Sequence, residues 1–204
     1  HGHVNAQFAY SHMLDNYPNA NTILVAGSSA GSIPSSFYGA QVSLDYPDSK
    51  IMVFNDGSGG LYTNSTYDFY DLWNMQETIL DFPMSPDLNF NEMDSGDLAI
   101  ASHEVNNDIR FARFTDSNDA TMRMFSALLG NDMSIPYKDK IMHSMNKTSE
   151  HGVNQYLYMS PGEGHTILLD SRFYSLEVNG VIFADWFTAW INEEPIENVL
   201  CEDC

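Results

Sequence analysis

The chain has 204 residues, enough for one domain with a substantial core. Hydrophobic residues make up 43% and aromatics 13%, which argues against a disordered chain, and no apolar run approaches the ~20 residues of a membrane-spanning helix. Eight Lys and Arg against 28 Asp and Glu give a formal net charge of −20, which speaks against nucleic acid and anionic membranes as partners, because phosphate contacts need cations.

The negative charge is dispersed rather than blocky, and reads as a solubility feature suited to a salty setting. His1-Gly2-His3 opens the chain with no initiator methionine and no signal peptide, so a processed or partial chain is expected. Val4, Phe8, Met13 and Leu14 fall at helical spacing and predict a helix from Val4 to Tyr17, broken at Asn19-Ala20-Asn21. Ile23-Leu24-Val25-Ala26 reads as a short apolar strand. Gly27-Ser28-Ser29-Ala30-Gly31 follows, and Pro34 to Leu44 reads as a helix ended by Asp45-Tyr46-Pro47-Asp48.

That is G-x-S-x-G between a strand and a helix. The sharp turn holds the serine hydroxyl clear of the backbone, and small flanking residues let strand and helix pass close together. Ser29 is therefore the expected nucleophile, and the backbone N–H of Ala30 the expected first oxyanion donor.

Ile51-Met52-Val53-Phe54 predicts a second apolar strand, closed by Asn55-Asp56-Gly57-Ser58-Gly59-Gly60. Both strands are apolar throughout, as parallel strands covered on two faces are. Asp56 reads as a turn or capping residue. Leu61 to Ala101 is aromatic, Met-rich and irregular, and suits either a cap over the sheet edge or plain helix core; the core reading is preferred for Tyr67, Phe69, Tyr70, Trp73, Met75, Phe82 and Met84.

Ile109 to Thr115 alternates polar and apolar residues and predicts a third strand, followed by the acidic turn Asp116-Ser117-Asn118-Asp119. A helix is expected from Asp119 to Leu129, and a loop and helix from Ile135 to Glu150. Gln155 to Ser160 predicts a fourth strand, running into Pro161-Gly162-Glu163-Gly164-His165, and Asn179 to Ile191 a closing helix. Cys201 and Cys204 end the chain as C-x-x-C, away from any strand–helix junction, and suit a disulfide, within the pair or to another segment, or two free thiols, better than a redox or zinc site. Asn64-Ser65-Thr66 and Asn146-Lys147-Thr148 are glycosylation acceptor patterns, which lean towards an extracellular or secreted protein.

The predicted order β-α-β-cap-β-α-β-α gives one domain over residues 1–204, an α/β doubly wound parallel sheet. Ser29, then an aspartate, then His165 each follow a strand, in the chain order of α/β-hydrolases, at the sheet edge where sites are built. Either Asp116 or Asp119 can be the acid; either can instead cap the helix from Ala120. His165 would take the Ser29 proton and return it to the leaving alcohol, and the aspartate would hold the imidazole tautomer. This chemistry calls for no metal and no cofactor. His12, His103, His143 and His151 lack a preceding strand. His1 with His3, and the calcium-like look of Asp116 to Asp119, make weak metal sites.

His1-Gly2, Asn5, the segment to Tyr17-Pro18, Ile23 through Gly31, Ala40 through Tyr46-Pro47, and Ile51 to Asp56-Gly57 together resemble the middle of the pectin acetylesterases, a family that includes the animal carboxylesterase Notum. The resemblance is strongest around Ser29. It implies an α/β-hydrolase sheet that carries further strands before the nucleophile strand, so that one flank is expected to be missing here and the Ser29 strand to lie at an exposed edge. It implies Asp119 as the acid and His165 as the histidine. It further implies a serine esterase that removes acetyl or other short acyl groups from a polysaccharide or small carbohydrate-type ester. Ser28 stands where the family has cysteine and Ser32 where it has glycine. The family's glycine-rich oxyanion loop would lie before His1. These departures leave open a non-catalytic or decayed hydrolase-fold binding module, or an esterase of lipid acyl or polyester substrates. The charge of −20 would repel acidic pectin at low ionic strength.

Overall fold

Alternation along Lys50–Asp56 sends Ile51 and Val53 to one face and Met52 and Phe54 to the other, and all four are buried. Both faces of this strand are therefore covered by helices. The computed structural model describes residues 2–60, 82–83, 93–201 and 204. In chain order the elements are α1 (Gly2–Asn16), β1 (Thr22–Ser28), α2 (Ser35–Asp45), β2 (Lys50–Asp56), α3 (Ser95–Val105), β3 (Arg110–Asp116) and α4 (Ala120–Leu128). They continue with α5 (Tyr137–Glu150), β4 (Gln155–Ser160), β5 (Glu177–Val178), β6 (Val181–Ile182), α6 (Phe183–Ile191) and β7 (Val199–Leu200).

The fold is α/β. A five-stranded sheet runs β1-β2-β3-β4-β7 with every described pairing parallel, flanked by helices on both faces. Tyr10 of α1, Val42 of α2 and Ala99 and Ile100 of α3 pack on the face of Val53 and Phe111, and Ile141 and Met145 of α5 pack on the neighbouring Leu157 and Met159. The opposite face carries Phe54, Phe114 and Tyr158 against Phe183, Trp186, Phe187 and Trp190 of α6. Several of these rings meet edge to face, as Tyr158 and Phe183 do with centroids 5.1 Å apart, an arrangement the ring quadrupoles favour. Among the described residues no helix is long and apolar enough to cross a membrane.

β1 has β2 as its one partner strand among the described residues. Its Leu24 is 40% exposed, because α6 reaches over β2 to β4 and leaves the same face of β1 open.

Several sequence expectations change. On α1, Val4 and Phe8 are exposed, and Tyr10, Met13 and Leu14 face the core instead. β3 is covered on both sides despite its polar–apolar alternation: Arg113 is 1% exposed beneath α5, with Nη1 3.4 Å from Ser144 Oγ. Asp94 offsets its charge, while burial pulls the guanidinium below its ordinary range. The helix read from Asn179 begins at Phe183, because Asn179 and Gly180 have φ of 52° and 80° and turn a β5–β6 hairpin. β7 is a fifth strand beyond the four expected. Of the Leu61–Ala101 region, residues 61–81 and 84–92 lie outside the described residues, and with them every aromatic and Met named there except Phe82. Phe82 is buried against Phe37 and Tyr38, as the core reading held.

Candidate active site

Parallel strands put all their carboxyl ends at one edge of the sheet. In register, Ser28 of β1 lies beside Asp56 of β2, and Asp116 of β3 beside Ser160 of β4. The loops that follow therefore converge.

Ser29 leaves β1 with φ 55°, a left-handed conformation that costs a non-glycine residue about 1 kcal/mol or more. A 3-10 turn, Ser29–Ser32, intervenes before α2. Ser32 Oγ donates to the Ser29 carbonyl at 2.7 Å, and Asn55 Nδ2 to the Ser32 carbonyl at 2.7 Å, which pins the turn to β2. Gly27 is required here: a Cβ would lie 2.1 Å from the Gly31 carbonyl oxygen. Gly31 itself has open space where a Cβ would go, so the close approach expected of both glycines rests on Gly27. Ala30, in the same turn, is exposed.

Asp119 is fully buried and caps α4, with Oδ1 accepting from Met122 N at 2.9 Å. Its Oδ2 lies 2.7 Å from His165 Nδ1, and His165 Nε2 lies 2.7 Å from Ser29 Oγ. The two roles that the sequence offered Asp119, helix cap and histidine partner, are both filled, one by each oxygen. An ionised carboxylate only accepts, so Nδ1 carries the proton and Nε2 is left to accept from the serine hydroxyl. Burial pushes the Asp119 carboxyl above its ordinary range, and the hydrogen bonds from His165 and Met122 pull it back. The His165 side chain is 20% exposed and Asp119 0%, so solvent reaches the imidazole and not the carboxylate behind it.

Asp116 does not meet the histidine. It is fully buried, takes hydrogen bonds from Arg172 Nη1 at 3.3 Å and Nη2 at 3.1 Å, and is hydrogen-bonded to Ser160 Oγ. Arg172 Nη2 also donates to the Thr166 carbonyl at 3.4 Å, so Asp116 anchors the histidine loop through an arginine. Three backbone bonds join the loops after β3 and β4: Ser117 N to Ser160 O (2.8 Å), Asn118 N to Gly162 O (3.0 Å) and Ala120 N to Glu163 O (3.2 Å).

Asp56, expected as a turn residue, is fully buried between the serine and histidine segments. Its carboxylate accepts from Ser28 Oγ at 2.6 Å, Ile167 N at 2.8 Å and Leu168 N at 3.0 Å. Burial pushes its carboxyl up; the bonds from Ser28, Leu168 and Ile167 and the nearby imidazole pull it down. Gly57 (φ 67°) follows, and a Cβ there would lie 2.8 Å from Thr166 Cγ2 and 3.3 Å from His165 Cε1, so only glycine fits against the histidine. Arg172 carried no sequence signal, since its partner lies 56 positions away.

His12 bonds within its own helix and His151 to the Lys147 carbonyl, both exposed; His3 meets Phe82 edge to face and lies against the Tyr38 hydroxyl. Among the described residues no group of three or more His, Cys, Asp or Glu side chains is placed to hold a metal ion. Cys201 and Cys204 are disulfide-bonded to each other.

Chemically, an acceptor nitrogen on a serine hydroxyl, with a buried carboxylate behind the ring, can move a proton off that hydroxyl and back. No protein-family model and no curated protein matches the chain.

Proposed function

We propose that the chain is a serine carboxylesterase of the α/β-hydrolase type, similar to the pectin acetylesterases, which removes acetyl or another short acyl group from a carbohydrate-type ester. One observation carries the reading: the unbroken row Ser29 Oγ, His165 Nε2 and Nδ1, Asp119 Oδ2, with both contacts at 2.7 Å, at the carboxyl edge of a parallel sheet. The left-handed backbone of Ser29 between a strand and a helical turn supports it, as does the chain order serine, aspartate, histidine.

Ser29 attacks the ester carbonyl as His165 Nε2 takes its proton. The tetrahedral oxyanion faces the Ala30 N–H, a donor of a kind worth about 3 kcal/mol of barrier. The imidazolium gives its proton to the leaving alkoxide, and an acyl-enzyme on Ser29 remains. Water, losing a proton to His165, then attacks the acyl carbon; the bond to Ser29 Oγ breaks, the imidazolium returns the proton to Oγ, and the acid leaves. Asp119 keeps the ring oriented and balances the imidazolium in both halves. A disulfide at Cys201–Cys204 and the exposed Asn146 of an acceptor triplet favour an extracellular setting.

A fluorophosphonate probe is expected to label Ser29, and Ser29→Ala to abolish hydrolysis of p-nitrophenyl acetate. Equal turnover by the two proteins would refute the proposal.

A further inference from the structure

We infer that Asp56 is a positioning residue of this acyl transfer: it ties the segment before Ser29 to the loop that carries His165, and sets a second carboxylate beside the imidazole. The inference rests on the proposed Ser29–His165 chemistry. Three donors converge on one buried carboxylate, and they come from two segments that must be held in register. Ser28 is the residue immediately before the serine, and Ile167 and Leu168 lie two and three residues beyond the histidine. The next residue, Gly57, abuts the His165 ring itself.

The 2.7 Å contact between Ser29 and His165 thus spans two chain segments joined on the far side through Asp56. Loss of that join lets the loops drift, and a displacement of about 1 Å at a reacting pair can cost 10²-fold in rate. The charge has a separate effect. An imidazolium forms in each half of the reaction, and a neighbouring negative charge stabilises it.

Other charges near His165 among the described residues have partners of their own. Asp119 bonds Nδ1 directly. Asp116 is matched by Arg172, which also bonds Asp170. Glu163 is exposed and paired with Arg123 and Asn118. Among the ion pairs of the described residues Asp56 has no cation against it, and its carboxylate feels the imidazole through space.

The test compares wild type, Asp56→Asn, Asp56→Glu and Ser28→Ala, with active sites counted by fluorophosphonate titration. Asp56→Asn keeps the shape, removes the charge and turns an amide NH₂ towards a backbone donor. Its kcat per titrated site should fall about ten- to a hundredfold with KM within about twofold. The acid limb of its kcat/KM profile should move to lower pH, because a negative charge that favours the imidazolium is gone. Asp56→Glu should restore the acid limb while kcat stays low, since the charge returns and the geometry does not. Ser28→Ala keeps the charge and loosens the tie: kcat per site should fall a few-fold with the acid limb in place.

If Asp56→Asn only lowers the titratable fraction, with kcat per site and acid limb unchanged, Asp56 is a folding residue and the inference is overturned. Should that variant not fold, wild-type kcat per site in both Asp56→Glu and Ser28→Ala overturns it equally. Absence of labelling in the wild type overturns the esterase reading, and this one with it.

Discussion

Ser29 leaves β1, which lies at the edge of the sheet that the described residues form. β1 has one partner strand among the described residues, Leu24 is 40% exposed, and the serine sits in a strained conformation. Asp119 and His165 leave β3 and β4, interior strands whose sides facing α6 are sealed by aromatic rings, and their loops are cross-joined by three backbone bonds and the Asp116–Arg172 pair. The contact between the two sides therefore joins a strand with little support of its own to a heavily braced pair of loops. Support for Ser29 comes from β2: Asn55 pins the turn and Asp56 reaches across to the histidine loop. In such an arrangement the Ser29 hydroxyl stands at the margin of the described sheet, with His165 partly exposed beside it and only Asp119 fully buried behind the ring.

The largest expected effect comes from the braced side. Asp119→Asn still accepts from Met122 N, so the cap on α4 and the melting temperature should change little. Its amide, however, can set an NH₂ against His165 Nδ1 and favour the wrong tautomer. On the proposed chemistry kcat should drop by about 10⁴-fold, measured as p-nitrophenyl acetate turnover per folded protein. A loss below tenfold would mean that Asp119 serves only as a cap. The contrast between margin and interior is sharpened by a pair of truncations. Phe114→Ala opens a cavity under α6 beside Phe183 and should cost about 3–5 kcal/mol in urea unfolding. Leu24→Ser, on the open face of β1, should cost no more than about 0.5 kcal/mol. Similar losses at the two sites would mean that something covers β1 in solution.

Much of this was legible along the chain, where a strong local pattern coincides with the tertiary role. The G-x-S-x-G turn, the two fully apolar strands, and an Asp and a His just past strand ends pointed to Ser29, one of Asp116 and Asp119, and His165 at one sheet edge; the preference for Asp119 came from the family resemblance. The open position of β1 was expected from a family resemblance. Other features were read wrongly or not at all because their meaning is set at a distance. Asp56 follows a strand as many turn residues do, and only the pairing of Ser28 with Asp56 and the return of the chain at Ile167 give it partners. Arg113 drew no reading along the chain beyond its place in the third strand, and α5 buries it. Asp116 and Asp119 are three residues apart in one acidic turn; which of them meets the histidine depends on where Arg172 lies. The β5–β6 hairpin is a different kind of miss. Asn179-Gly180 is a strong local turn signal, and the apolar run of α6 that follows drew the helix back over it.

The smallest expected effect is on the interior side and depends on pH. Tyr158, on β4, donates its phenolic hydrogen to the Val181 carbonyl at 2.7 Å, which holds β6 to the sheet. Burial pushes its pKa from the ordinary 10.0 up to about 12, the Glu177 carboxylate adds to the rise, and a Val178 backbone hydrogen bond offsets part of it. With the folded value above the unfolded one, the native state binds more protons between pH 10 and about 12. The stabilisation is therefore complete below pH 10 and is lost as the pH climbs towards 12, at a slope of up to about 1.4 kcal/mol per pH unit. Tyr137 and Tyr10, also pushed up by burial, tilt the curve the same way. Tyr158→Phe should be about 1 kcal/mol less stable at neutral pH, where the hydrogen bond is missing, and should lose stability more slowly than wild type above pH 10. The two curves, measured by urea unfolding from pH 8 to pH 11.5, should converge. Parallel curves would mean that the phenol ionises as freely in the folded protein as in the unfolded chain, and that the hairpin, like β1, is open to water.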